Sequence, residues 1–345
     1  APHGFTLVEL LVVITIIGIL VGLTIPAVMH VRVIAKQAAV TMDLKQLEMA
    51  CQAYKEKFGE YPPDFCHVNY TGGTPPIRNA VRNAARGAVL RHLARAFPRY
   101  VPGVTTAVAT DNHTWDGFVA DVTNMAWGIN LTQFTNENGP REALTFWLGG
   151  RPTIDGAGKV TGFSGFSANP QNPFDNSASR INLFFDFDLT RTNRDPSNGA
   201  IHYWPQGAAG NMSSGSLVYF RAENGEYVVT CMLAGTPRFL SKSVVDSGDT
   251  FSPIIFPAVD YRLSNPATTQ YTWVSPRSFQ IFSAGLDTRY STPTGDASFY
   301  PPSSLSIFPT CPIGPYEFPN GNNYGQNTYD DITNFSDGTL ENKIP

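Results

Sequence analysis

The stretch 5–28, FTLVELLVVITIIGILVGLTIPAV, constrains this chain more than any other feature: twenty-four residues with one charge, Glu9. A helix of that length and composition can cross a bilayer hydrocarbon core of about 30 Å. The rest of the chain is polar and rich in Gly, Pro and Asn. The layout is that of a subunit held in a membrane by one end. It can leave the bilayer only if other subunits bury the same surface.

The helical period continues beyond the apolar run. Val33, Gln37, Val40, Leu44, Leu47, Cys51, Tyr54 and Phe58 recur at three- and four-residue steps, with Asp43, Lys45, Glu48, Lys55 and Glu56 on the other side. Gly59 suits the position just past a helix end, and Pro62-Pro63 forbid continuation. The predicted rod from Phe5 to Phe58 is about 80 Å long at 1.5 Å per residue. Its first half is apolar all round, so only the second half can pack against the chain's own globular part. Gly18, Gly22 and Pro26 interrupt the apolar half. Pro26 lacks the donor for a bond to residue 22, so Gly18–Pro26 is where the rod is expected to bend or unwind.

With 345 residues the chain can bury a sizeable core. A net charge of -4 and 15% charged residues, with no basic tail, argue against nucleic acid. Arg78, Arg82, Arg86, Arg91, Arg95 and Arg99 recur at steps of about four along and just beyond a predicted helix over 77–97; several share one face while Val81, Ala85, Val89, Leu93 and Phe97 line another, and they read as a solvated face. A short helix is predicted over 141–148, and a long loop over 156–179. Strands are predicted over 180–189, 216–222, 227–233, 250–262 and 271–282, with a hairpin turn at Glu223-Asn224-Gly225. Residues 287–345 read mostly as loops. The order predicts an α+β fold, a long helix packed by its C-terminal half on an antiparallel sheet, with large loop and helix insertions. We divide it into a filament-core or transmembrane segment, 1–30, and a globular domain, 31–345.

Catalytic patterns are lacking: there is no HExxH, GxSxG, Walker or dinucleotide glycine motif, and the six histidines are scattered. The expectation is a protein that is not an enzyme. Asp186 and Asp188 alternate with Phe185 and Phe187 and read as the exposed side of a strand. Cys51, Cys66, Cys231 and Cys311 form no CxxC, which argues against haem attachment or a cysteine zinc site. In an oxidising compartment Cys51–Cys66 would staple the helix end to the following loop and Cys231–Cys311 would tie a strand to the C-terminal loops; four unpaired thiols are the alternative. Asn69, Asn112, Asn130, Asn211 and Asn334 each open an N-x-S/T sequon.

Gly4-Phe5-Thr6-Leu7-Val8-Glu9-Leu10-Leu11-Val12-Val13 resembles the processing and assembly motif of type IV pilins and type II secretion pseudopilins. The resemblance implies a lollipop fold, and cleavage by prepilin peptidase after Gly4 with methylation of the new amine on Phe5. It implies that Glu9 neutralises the terminal amine of a neighbour, and that Gly18 and Pro26 bracket a locally melted segment in the filament. Ala1–Gly4 precede the expected cut without the usual Lys or Arg; if they are retained, the partner of Glu9 is another amine or none. Ser283-Ala284-Gly285-Leu286-Asp287 with Asp330-Asp331-Ile332 resembles, more loosely, the C-terminal calcium-binding loop of major pseudopilins, which makes Asp287, Asp330 and Asp331 candidate Ca²⁺ ligands. Together these imply a structural subunit of a type IV pilus-like helical filament. It would be a single-pass inner-membrane protein before assembly and an extracellular or periplasmic homo-oligomer afterwards, handled by prepilin peptidase and assembly machinery. A type II secretion pseudopilin or a minor, ligand-binding pilin is the alternative.

Overall fold

Helix α1 runs unbroken from Leu7 to Phe58 in the computed structural model of the chain. The structure describes residues 7–72, 74–103, 115–124, 127–131, 139–176, 179–206, 215–233, 236–242, 244–245, 254–255, 257–260, 272–290, 316–319, 330–336 and 338–343. Pro26 lies inside the helix without ending it. Gly59, at φ 84°, closes α1 as its sequence position predicts, its N–H donating to the Lys55 carbonyl at 2.7 Å. Val40, Leu44, Leu47, Cys51, Tyr54 and Phe58 are buried. Val33 is exposed and Gln37 only half-buried, so the domain covers the predicted apolar face from Val40 onward and leaves its first two turns bare.

Helix α2, Pro75–Ala96, starts with Pro75 in the first turn, where the missing N–H costs nothing. Val81, Ala85, Val89, His92 and Leu93 form its buried side. Its arginines are not merely solvated. Arg82 Nε donates to the Tyr70 carbonyl at 2.6 Å, and Arg86 donates to the Val68 carbonyl and to Asn69 Oδ1. Arg82 and Arg86 thus fix the loop that follows α1. Helix α3 spans Trp115–Asn124, and α4, Gly139–Leu144, runs into a π-helical turn over Thr145–Gly149. That turn delivers Phe146 and Trp147 to an aromatic core with Tyr54, Phe65 and Trp127.

The strands are β1 Pro152–Ile154, β2 Val160–Phe163, β3 Thr192–Arg194, β4 Ile201–Tyr203, β5 Val218–Arg221, β6 Val228–Leu233, β7 Thr236–Ser241, β8 Val244–Val245, β9 Ile254–Ile255, β10 Ala258–Asp260, β11 Phe279–Ser283, β12 Tyr316–Phe318 and β13 Ile332–Thr333. The sheet that meets α1 is antiparallel, in the order β13-β11-β5. Alternation along its strands buries both faces. Tyr219, Phe279, Ile281 and Ile332 join α1's core, and Val218, Phe220 and Phe282 enter a second core with Tyr227, Ile255 and Trp273.

Several predicted elements differ. Residues 180–189 form no named strand: Phe184 and Phe185 pack on the main core, so their alternation is satisfied without a partner strand. The region read as a long loop contains β2, which pairs with β1 just before it through a turn held by Asp155 Oδ1 accepting from Ala157 and Lys159 N–H. The turn at Glu223-Asn224-Gly225 forms, with Asn224 and Gly225 both at positive φ, but β6 then pairs with β7 and not with β5. Read as loop, residues 332–333 supply an edge strand of the main sheet.

Candidate functional site

Nineteen large apolar side chains between Leu7 and Ile34 are exposed among the described residues, from 78% at Leu7 down to 43% at Val33. Burying such a side chain is worth about 1.5–3 kcal/mol, so this surface represents tens of kcal/mol and cannot remain in water. The helix is long and apolar enough to cross a membrane. Its hydroxyls are satisfied within the helix, Thr15 donating to the Leu11 carbonyl and Thr24 to that of Val21. A Cβ added at Gly18 or Gly22 would meet nothing within 4 Å, so nothing in the chain's own packing requires either glycine. Glu9 stands exposed in the first turn, where a carboxylate favours the helix dipole. Gly4 and Phe5 lie outside the described residues.

The C-terminal aspartates come together although 43 residues separate the first two. Asp330 Oδ2 accepts from the N–H groups of Leu286 and Asp287 at 3.2 and 3.3 Å. Gly285, at φ 60°, permits this approach, since a Cβ there would sit 2.2 Å from the Asp330 carbonyl oxygen. Asp331 is fully buried, and neither carboxylate oxygen has a partner. Burial, and then the charges of Asp330 and Asp287, push its carboxyl well above the usual range. An orphaned, buried carboxylate beside two others offers the hard oxygen donors that Ca²⁺ takes. No group of three or more His, Cys, Asp or Glu side chains among the described residues already stands in metal-holding geometry.

Cys51 and Cys66 are both buried but are not bonded to each other, which corrects the expected staple. Cys51 faces the core from α1, and Cys66 sits in a turn whose N–H donates to Asp64 Oδ1. Cys231 lies on β6, and Cys311 is outside the described residues. Of the sequons, Asn69 is buried with its amide nitrogen donating to the Leu131 carbonyl at 2.8 Å. Asn334 is buried with its Oδ1 on the Ile281 N–H, and Asn130 is half-buried. Asn112 and Asn211 lie outside the described residues.

The helix end is fixed instead by a polar network that the sequence did not reveal. His92 is buried between Glu60 Oε1 and the Tyr54 hydroxyl, each at 2.8 Å. A carboxylate only accepts, so Nδ1 carries the proton and Nε2 accepts from Tyr54. Arg221 donates to Glu60 Oε2 at 2.7 Å. Burial alone would raise the Glu60 carboxyl, but the His92 bond and the Arg221 guanidinium outweigh it and hold it at about 2. A carboxyl depressed in the fold stabilises it above the unfolded pKa and loses that contribution as pH falls through the folded one. The melting-temperature gap between wild type and Glu60→Gln should therefore be full above about pH 4.5 and close as pH approaches 2. A gap independent of pH would show that the charge of Glu60 carries no stability. The only sequence signal was a lone histidine on an apolar helix face.

Fold and surface define a class: a pilin-like α+β protein, its long helix half covered by its own domain and half bare. Residues 2–25 match the family described as the prokaryotic N-terminal methylation motif. The chain is similar to the type II secretion system core protein G of Klebsiella pneumoniae, 34% identical over 91 residues, which is 26% of this chain and 65% of that protein. It is also similar to the core protein G of Pectobacterium carotovorum subsp. carotovorum, 31% identical over 91 residues, 26% of this chain and 58% of the relative. The matched region thus spans less than two thirds of either relative. No solved structure matches the chain.

Proposed function

We propose that this protein is a non-enzymatic, filament-forming subunit of the pseudopilin kind, anchored in the inner membrane by residues 1–30 until it assembles. The observation that carries the reading is the bare apolar half of α1, which needs lipid or other copies, beside a second half already satisfied by the domain. The similarity to the two secretion core proteins favours a pseudopilin over a type IV pilus subunit. Prepilin peptidase would cut after Gly4 and methylate Phe5, and Glu9 would meet an amine of a neighbouring copy. Gly18, Gly22 and Pro26 would let the helix loosen in the assembled form. Imaging material sheared from cells tests the reading: a regular fibre built of this one polypeptide supports it, and a single copy at a filament end overturns it.

We propose further that Asp287, Asp330 and Asp331 hold Ca²⁺, which would neutralise three crowded carboxylates and clamp two distant segments. A ligand at a hundred times its Kd stabilises by about 2.7 kcal/mol, so millimolar calcium should raise the melting temperature and a chelator should reverse it. Asp331→Asn should remove that calcium-dependent increment. A melting temperature indifferent to calcium would leave these residues a structural turn.

A further inference from the structure

A cleft opens where the last turns of α1 and α2 meet, at the end of α1 away from its bare half. Its volume is about 390 Å³, at the small end of the range for ligand clefts. Phe58 and Phe97, with ring centroids 5.1 Å apart, make an apolar floor with Pro98 and Ile181. Lys57 and Arg99 stand at the rim, both exposed. Neither has an ion-pair partner among the described residues, and no carboxylate lines the cleft. On the adjoining segments, Glu56 lies about 100° round the helix from Lys57. Glu60 is held by His92 and Arg221, and Asp175 accepts from Asn169 Nδ2 at 2.6 Å. A cation in the last turn of a helix serves the helix dipole, which accounts for Lys57. Arg99 lies beyond both helices, where that account does not reach.

We propose that this cleft docks a polypeptide segment in which an aromatic or leucine-sized side chain is flanked by carboxylates. The apolar side chain lies on the Phe58–Phe97 floor, and the carboxylates meet Lys57 and Arg99. Charge complementarity selects the flanks, and the floor selects what lies between them. A chain of phosphates or acidic sugars would satisfy the two cations but leave the floor without a partner. The inference does not rest on the filament reading. Lys57 lies about 35 Å along α1 from Ile34, at 1.5 Å per residue. Burying the bare half, in lipid or against other copies, therefore does not by itself cover the cleft.

Equilibrium dialysis of the full-length chain in lipid nanodiscs, with empty nanodiscs as the blank, tests this. The probe is acetyl-Asp-Phe-Asp-amide. In acetyl-Asp-Ala-Asp-amide the apolar side chain is removed, and in acetyl-Lys-Phe-Lys-amide the flanking charge is reversed. The chain should retain the probe above the blank and bind both comparison peptides about tenfold more weakly. Lys57→Glu with Arg99→Glu should weaken the probe about tenfold at an unchanged melting temperature. Lys159→Glu with Arg91→Glu makes the same change of charge at exposed positions outside the cleft and should leave binding as it was. Ile181→Trp should fill the cleft and lower retention without touching either cation. Equal binding of the Asp-Ala-Asp peptide would reduce the site to a plain anion-binding patch and overturn the proposal. A probe held no better than the blank up to millimolar concentration would overturn it too, as would one undiminished by Lys57→Glu with Arg99→Glu.

Discussion

Glu9→Lys should abolish filaments while the domain melts at the wild-type temperature, and Glu9→Ala should lower filament yield about tenfold, equivalent to about 1.4 kcal/mol. The separation of effects follows from distance along α1. The first residue that the domain covers is Val40, so Glu9 lies about 46 Å away at 1.5 Å per residue. Nothing in the sheet or the aromatic core can register the change. Assembly can, because bundling the apolar halves moves Glu9 from an exposed first turn into a medium where a carboxylate costs several kcal/mol unless neutralised. Lysine would multiply that cost by placing a cation on every copy. Sedimentation of sheared filaments, with circular dichroism melting of the detergent-solubilised chain, measures both quantities. Wild-type yield from Glu9→Ala would remove this residue from assembly.

Lys242→Met should cost the fold about 3–5 kcal/mol, because it strands a buried carboxylate. Lys242 is 1% exposed, and its ammonium donates to Asp64 Oδ2 at 2.7 Å, the Arg221 carbonyl at 2.8 Å and Glu223 Oε1 at 3.2 Å. Burial alone would lower its pKa, but the facing carboxylates of Asp64 and Glu223 win and raise it, so it stays charged. Asp64, itself buried, also accepts from the Arg221 and Cys66 N–H groups, so this ion pair joins the loop after α1 to β5. The melting midpoint should fall by about 10 °C. The double variant Lys242→Met with Asp64→Leu should recover part of the loss, since removing both charges leaves neither unpaired. A double variant worse than the sum of the single ones would mean that the pair is held for the shape of the loop and not for its charge.

What the sequence disclosed depends on range. Helix α1 was legible to its last residue because its signals are local: an apolar run, a three-four period, Gly59 and Pro62-Pro63. Helix α2 was legible for the same reason, but the use of Arg82 and Arg86 was not, since spacing cannot tell a solvated arginine from one bound to a loop carbonyl. Strands of two to four residues carry too little period, so β2 and β13 passed as loops and β1 was not picked out, and Phe184 to Phe187 imitated a strand by packing. The aspartates at 287, 330 and 331 were found by pattern, and the structure brings them together. The His92–Glu60–Arg221 network joins positions up to 161 residues apart, and no local pattern encodes it. Cys51 and Cys66 are close in sequence yet not bonded to each other, since sequence spacing alone does not fix a disulfide.

Strand β13 sets a timetable. Lys45 bonds the carbonyl of Asn334 across 289 residues, and Ile332 closes the sheet beside β11. During synthesis the apolar half of α1 emerges well before the edge that completes the sheet, which follows nearly three hundred residues later. Contacts of such separation form late and slowly. In a subunit anchored as proposed, the apolar half would insert before the domain closes, and the covered face of α1 would stay unshielded until β13 arrives. A truncation before residue 332 would leave β11 as an open sheet edge and α1 without the strand that meets it.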